Sequence, residues 1–130
     1  MKKKLLIIED DDLIRDLYKR QLELADFEID AYSNGKDGIA AAQKHPYSMI
    51  LLDVMLPEMN GIEILQKLKQ DPATKAMPVL FLSNLGQDAV INEGIALGAI
   101  GYLVKVSLTP NQLVEEIKKR LAAEESKKKA

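Results

Sequence analysis

The segment Met49-Ile50-Leu51-Leu52-Asp53-Val54-Met55-Leu56-Pro57 decides the fold of this chain. It is an apolar run interrupted by a single carboxylate, and such a run is typical of a strand buried on both faces of a parallel sheet. Burying an unpaired charge is costly, so Asp53 is expected at the exposed carboxyl end of the strand or beside a cation. In open α/β sheets the two conditions coincide, because ligands bind at the carboxyl ends of the strands.

Further strand-like and helical segments alternate around this run. Strands are also predicted at Leu5–Ile8, Phe27–Ala31 (a half-buried edge strand), Pro78–Leu82 and Ile100–Val104. Helices are predicted from Leu13 to Leu24, Lys36 to Lys44, Gly61 to Lys69, Gln87 to Leu97 and Pro110 to Leu121. This alternation predicts an α/β fold in which a parallel sheet is covered by helices on both faces.

Local signals predict how several helices begin and which faces are buried. The first helix is predicted to carry Leu13, Leu17 and Leu24 near one apolar face, with Ile14, Tyr18 and Leu22 beside it. Asp11 or Asp12 is predicted as its N-cap. Three residues of the fourth helix are predicted to point inward, namely Val90, Ile91 and Ile95.

The last helix has the strongest start signal in the chain. Thr109 is predicted as its N-cap, Pro110 as its first residue, and Gln112 as the partner that completes a capping box. Residues 123–130 are small and charged and are predicted to form a disordered tail.

Composition limits the function classes. The chain has 130 residues, 47% of them hydrophobic and 29% charged, which indicates one soluble globular domain. A net charge of -2 argues against a general nucleic-acid surface, and the absence of cysteine excludes thiolate chemistry. The sequence contains neither a membrane span nor a signal-peptide core, so a cytoplasmic location is predicted.

Polar side chains follow four of the predicted strands. They are Glu9 and Asp10 after the first, Asp53 on the third, Ser83 after the fourth and Lys105 after the fifth. A parallel sheet brings all of them to one edge, where two carboxylates ~4 Å apart repel by about 4 kcal/mol at an effective dielectric constant of ~20. A divalent cation such as Mg²⁺ would remove that repulsion. Carboxylate, metal, hydroxyl and ammonium together suit phosphoryl transfer, with Asp53 as the nucleophile.

The chain resembles a response-regulator receiver domain of the CheY-like kind from roughly Lys3 to Leu121. The matching segments are Ile7-Ile8-Glu9-Asp10-Asp11, Leu51-Leu52-Asp53-Val54-Met55-Leu56-Pro57 followed by Asn60-Gly61, Val79-Leu80-Phe81-Leu82-Ser83, and Gly98-Ala99-Ile100-Gly101-Tyr102-Leu103-Val104-Lys105. The resemblance implies a flavodoxin-like (βα)₅ fold with strand order 2-1-3-4-5. Residues 1–122 are predicted as a stand-alone receiver without an output domain.

The resemblance also implies the chemistry of the site. Asp53 would accept a phosphoryl group from a sensor histidine kinase or a phosphotransfer protein. Asp10, Asp53 and the backbone carbonyl of Met55 would hold Mg²⁺, with Mn²⁺ as an alternative, and Glu9 would reach the ion directly or through water.

The remaining roles follow from the same resemblance. Ser83 would bind a phosphoryl oxygen, Lys105 would pair with the phosphate, and Tyr102 would be the switch residue, with Ser83 as the other half of the switch. The output would be a changed protein-binding surface on the fourth helix, fifth strand and fifth helix. Such a domain is a phospho-acceptor switch with at most self-phosphorylation and self-dephosphorylation activity, and not an enzyme in the ordinary sense.

Four positions depart from the family pattern or modify it. Val106 stands where the family usually has a proline after a cis peptide bond, so the bond between Lys105 and Val106 is predicted to be trans. Asn84 stands where the family prefers a very small residue, which narrows access to the phosphate. Met55 and Leu85 are apolar at positions that influence attack of water on the phosphoryl group, which predicts a long-lived phosphoryl state.

Two alternatives stay open at this point. One is a degenerate receiver that docks partners without being phosphorylated, as Val106 and Asn84 would favour. The other is a small haloacid-dehalogenase-type phosphatase that uses Asp10 as nucleophile, although Ile14 departs from that family's motif and the chain offers no later acidic pair.

Overall fold

The computed structural model describes residues 2–129, and the side chains of residues 2–127. Strands and helices alternate along the chain, as predicted. The strands are β1 (Lys4–Ile8), β2 (Glu28–Tyr32), β3 (Met49–Asp53), β4 (Val79–Ser83) and β5 (Gly101–Val104). The helices are α1 (Asp12–Leu24), α2 (Gly35–Lys44), α3 (Gly61–Gln70), α4 (Asp88–Ala96) and α5 (Pro110–Lys129), and a short 3-10 helix (Lys105–Ser107) follows β5.

The strands form one parallel sheet in the order β2-β1-β3-β4-β5. This order confirms the predicted doubly wound topology. β3 lies at the centre of the sheet and all its residues are buried, whereas β2 lies at an edge, as its alternating pattern predicts. Because all strands run in the same direction, their carboxyl ends meet at one edge of the sheet.

Two hydrophobic cores lie on opposite faces of the sheet, which explains the unbroken apolar run of β3. Met49 and Leu51 pack with the α1 and α5 side chains in one core. Ile50 and Leu52 pack with the α2 and α3 side chains in the other. Each face therefore takes every second residue of the strand.

The packing face of α1 differs from the prediction in part. The three leucines predicted to lie near one apolar face are exposed, namely Leu13, Leu17 and Leu24. The residues predicted to lie beside them form the packing face instead: Tyr18 and Leu22 are buried and Ile14 is partly buried. Both sets have helical spacing, so periodicity alone could not choose between them; the sheet selects Ile14, Tyr18 and Leu22, which lie four residues apart along one stripe.

The packing of α4 also differs from the prediction in part. Ile91 is buried and Val90 packs against the core, as predicted, but Ile95 is exposed. Gly94, rather than Ile95, faces the sheet: a Cβ atom there would lie 1.9 Å from Cε2 of Phe81. The glycine therefore lets the helix backbone approach the Phe81 ring closely.

The helix ends follow the predicted signals except at the C-terminus. Gly98 ends α4 with φ of 114°, and Thr109 and Gln112 exchange the two bonds of the capping box at 2.9 and 3.2 Å. Residues 123–129, predicted as a disordered tail, instead continue α5. Alanine, glutamate and lysine are strong helix formers, which explains the extension; the last residue of that predicted tail, Ala130, lies outside the described residues. Over residues 2–129, no helix combines the length and the apolar character that a bilayer crossing requires.

Candidate functional site

The predicted site residues lie at the carboxyl edge of the sheet. Asp53 and Ser83 are the last residues of β3 and β4, and Glu9 and Lys105 directly follow β1 and β5. All four side chains are buried. Charged side chains are rarely buried unless they are paired, so partners are expected for them. Asp10, the next residue after Glu9, is exposed at the rim.

Lys105 connects two of the acidic residues. Its Nζ donates to Oε1 of Glu9 at 2.5 Å and to Oδ2 of Asp53 at 3.1 Å. The Lys105 side chain is only 5% exposed, and both carboxylates are buried. The peptide bond from Lys105 to Val106 is trans, as predicted. A trans bond at this position is therefore compatible with contact between the lysine and Asp53.

Backbone N–H groups hold the other two carboxylate oxygens. Oδ1 of Asp53 accepts from the N–H of Met55 at 3.0 Å, and Oε2 of Glu9 accepts from the N–H of Asp11 at 3.1 Å. Asp11 is also the N-cap of α1, since its Oδ1 accepts from the N–H of Ile14 at 3.1 Å. The loop after β1 is thus ordered by the same residues that carry the acidic groups.

The electrostatics of the site reflect crowded, buried carboxylates. Burial and the neighbouring Asp53 raise the pKa of Glu9 to about 7, although the ion pair with Lys105 opposes the shift. Burial would lower the pKa of Lys105, but the hydrogen bond from Lys105 to Glu9 and the charge of Asp53 outweigh it and raise this pKa. The ammonium therefore stays charged at neutral pH.

The three acidic residues can hold a divalent cation. Glu9, Asp10 and Asp53 each offer a carboxylate oxygen, and these oxygens lie within 4.8 Å of one another. Carboxylate oxygens are among the ligands that Mg²⁺ prefers, and Asp10 is exposed to solvent. The donor set therefore fits Mg²⁺. The carbonyl of Met55 stays a prediction as the further protein ligand.

Ser83 contributes a hydroxyl for which the described residues offer no hydrogen-bond partner. Its side chain is fully buried, and its Oγ has no hydrogen-bond partner among the described residues. A buried, unsatisfied hydroxyl is unfavourable and marks a position where a ligand oxygen would be accommodated. Tyr102, the predicted switch residue, is 43% exposed on β5, so its ring lies at the surface of the domain.

The protein-family model that describes the response regulator receiver domain matches residues 5–118 of this chain. The chain belongs to the response regulator receiver family. This assignment confirms the predicted family and gives no support to a haloacid-dehalogenase-type phosphatase.

Known receivers agree with the family and the fold. The chain is 38% identical over 126 residues to the transcriptional regulatory protein SrrA of Staphylococcus aureus. The aligned region covers 97% of this chain and 51% of SrrA. It therefore spans about half the length of the curated relatives it matches. Among solved structures, a CheY-like receiver domain protein of Methanospirillum hungatei superimposes with a TM-score of 0.89 at 27% identity, over 98% of this chain and 99% of that one. Chemotaxis response regulator CheY4 of Vibrio cholerae gives 0.84 at 29% identity, over 92% and 98%.

The receiver site contains two side chains that the sequence analysis missed. Arg15 donates to the carbonyl oxygen of Glu9 at 2.9 Å, and Oε1 of Gln87 accepts from the N–H of Asn84 at 2.7 Å. Arg15 lies in α1 and Gln87 directly precedes α4, and each side chain bonds to the backbone of an adjacent loop. The only sequence signal was the position of each residue near the start of a helix, which does not specify such a contact.

Proposed function

We propose that this receiver accepts a phosphoryl group on Asp53 in two-component signalling. The donor would be a sensor histidine kinase or a phosphotransfer protein. The observation that supports the proposal most directly is the bridge from Lys105 to Glu9 and Asp53, beside the Ser83 hydroxyl, which has no partner in the described part of the chain. A reactive carboxylate, a fixed cation and a free hydroxyl are the groups that phosphoryl transfer requires.

In the proposed reaction a carboxylate oxygen of Asp53 attacks the phosphorus atom of the donor. A new P–O bond forms while the P–N bond of a phosphohistidine, or the P–O bond of acetyl phosphate, breaks with its electron pair going to the donor. Asp10, Asp53 and the backbone carbonyl of Met55 would hold Mg²⁺ (or Mn²⁺). Glu9 would reach the ion directly or through water. The bound ion would neutralise charge on the phosphoryl oxygens.

Lys105 and Ser83 would recognise the product. Forming the acyl phosphate removes one carboxylate charge of Asp53, so the ammonium of Lys105 would pair with the phosphoryl oxygens instead. The Ser83 hydroxyl would donate to a phosphoryl oxygen and thereby gain a partner that none of the described residues supplies. Tyr102, which lies at the surface of β5, would report this change as the switch residue.

The output surface is proposed to lie on α4, β5 and α5. It comprises Val90, Asn92, Glu93, Tyr102, Glu116 and Lys119. Five of these are on helices and one is on β5, and each is at least partly exposed. A downstream protein would bind this surface in one phosphorylation state. SrrA is named a transcriptional regulatory protein. If this receiver also controlled transcription, it would do so through such a partner or through a further domain.

The proposal is tested by incubating the protein with acetyl phosphate and Mg²⁺ and measuring its intact mass. Wild type should gain one phosphoryl group, and Asp53→Asn should gain none. Asp10→Asn, which keeps the acceptor but loses a metal ligand, should react slowly and require more Mg²⁺. An unmodified wild type would favour a docking module that does not use phosphorylation.

The same mass measurement tests the predicted long-lived phosphoryl state. Met55 and Leu85 are 53% and 73% exposed, and neither offers a polar group that could orient an attacking water. After removal of acetyl phosphate, the phosphoryl group should persist in wild type and decay severalfold faster in Met55→Asn. Rapid decay in wild type with Mg²⁺ alone would contradict this prediction.

A further inference from the structure

Arg15, in the first turn of α1, holds the backbone of the loop that carries the acidic residues. Its Nη1 donates to the carbonyl oxygen of Glu9 at 2.9 Å and approaches that of Asp10 at 3.5 Å. Its Nη2 pairs with Oδ1 of Asp12 at 2.5 Å. The Arg15 side chain is only 17% exposed, although it carries a full charge.

We propose that Arg15 is a positioning residue for the divalent cation. This inference rests on the proposed function, since it assumes that Glu9, Asp10 and Asp53 bind Mg²⁺. Arg15 would not touch the ion; it would act through the two carbonyl groups that fix the direction of the Glu9 and Asp10 side chains.

Asp10 is the residue that depends most on this support. It is exposed, and no hydrogen bond within the described part of the chain holds its carboxylate. By contrast, Asp53 is fixed by Lys105 and by the N–H of Met55. Holding the Asp10 backbone before the ion arrives removes part of the ordering entropy from binding, which increases affinity.

The guanidinium suits this task because it is planar and presents several donors at fixed angles. One nitrogen serves the loop carbonyls while another serves Asp12, and a lysine ammonium on a flexible stem cannot reproduce that geometry. The charge of Arg15 acts in the opposite direction, since a cation near the site repels Mg²⁺. The sign of the effect therefore separates positioning from a simple charge effect.

The test compares Mg²⁺ affinity by titration calorimetry in wild type, Arg15→Gln and Arg20→Gln. Arg20→Gln is the matched control, because it removes the same charge from an exposed position on α1. Arg15→Gln should bind Mg²⁺ about tenfold more weakly, the size typical of residues that orient metal ligands. Arg20→Gln should bind as wild type does. Equal or tighter binding by Arg15→Gln would overturn the positioning role.

A kinetic measurement separates positioning from general damage to the fold. In Arg15→Gln the Mg²⁺ concentration for half-maximal phosphorylation by acetyl phosphate should rise, while the rate at saturating Mg²⁺ stays near that of wild type. A lower rate at saturating Mg²⁺ with unchanged half-saturation would overturn the inference.

Arg15→Lys keeps the charge but loses the planar guanidinium with its several donors, so it should also bind Mg²⁺ more weakly than wild type. It serves as the test variant if Arg15→Gln does not fold. Full wild-type affinity in Arg15→Lys would overturn the inference. If wild type itself binds no Mg²⁺, the proposed function fails with it; if wild type binds Mg²⁺ and the Arg15 variants bind equally well, only the positioning role fails.

Discussion

Replacing Lys105 with methionine should leave two buried carboxylates without their shared cation. The Lys105 side chain is 5% exposed, and those of its partners, Glu9 and Asp53, are 0% and 4% exposed. The acidic oxygens of the site lie within 4.8 Å of one another, and unit charges at that separation repel by about 3.5 kcal/mol at an effective dielectric constant of ~20. Methionine nearly preserves the volume of the side chain, so the lost charge dominates.

Without Mg²⁺ at about pH 8, Lys105→Met should therefore lower the free energy of unfolding by about 3 kcal/mol, within the range found when one partner of a buried ion pair is removed. Adding Mg²⁺ should restore most of this loss, because the ion neutralises the same carboxylates. The measurement is urea denaturation followed by circular dichroism, with EDTA and with saturating Mg²⁺. Lys118→Met, at an exposed position on α5, is the control and should change stability by less than about 0.5 kcal/mol.

Two results would refute this reasoning. If Lys105→Met matched wild type in EDTA, the bridge would not be balancing the buried charge. If Mg²⁺ stabilised wild type and Lys105→Met equally, the ion would not be acting on the carboxylates that Lys105 contacts.

Three further changes should affect stability. Without metal, the free energy of unfolding of wild type should fall by about 3 kcal/mol relative to that of Glu9→Gln as pH rises from about 4.5 to about 7, because folded Glu9 keeps a proton that the unfolded chain releases. Urea denaturation at several pH values measures this difference. Equal pH dependence in the two proteins would show that the Glu9 carboxylate is already charged in the folded state. Gly94→Ala should cost about 1–3 kcal/mol through overpacking against Phe81, and Phe81→Leu in the same chain should make the alanine less harmful in a double-mutant cycle. Thr109→Ala should lower the melting temperature by removing about 1 kcal/mol of capping, and an unchanged melting temperature would contradict that role.

The fold and the residues of the site could be predicted because both depend on the spacing of apolar residues along the sequence and on the common direction of parallel strands. A strand buried on both faces must be apolar throughout, as Met49–Asp53 is, and parallel strands must bring their carboxyl ends together. Those two rules place Glu9, Asp53, Ser83 and Lys105 at one edge without any knowledge of distances.

The details that were wrong or missing depend on tertiary contacts. Exposed Leu13 and buried Tyr18 belong to faces of α1 with equal periodicity, and only the sheet distinguishes them. Gly94 reduces intrinsic helix stability, yet it allows α4 to approach Phe81 closely. Arg15 contacts backbone carbonyls, which have no sequence signature.

The resting geometry also suggests how the proposed phosphorylation would be driven. In the unmodified protein, Lys105 is shared between Glu9 and Asp53, while the buried Ser83 hydroxyl has no partner among the described residues. A phosphoryl oxygen at Asp53 would give the Ser83 hydroxyl an acceptor and would give Lys105 a stronger anionic partner. Both changes favour the phosphorylated arrangement, and both act at the ends of β4 and β5, of which β5 belongs to the proposed output surface. Ser83→Ala should therefore weaken the coupling between phosphorylation and partner binding more than it slows the chemical step, because it removes a contact that forms only in the product.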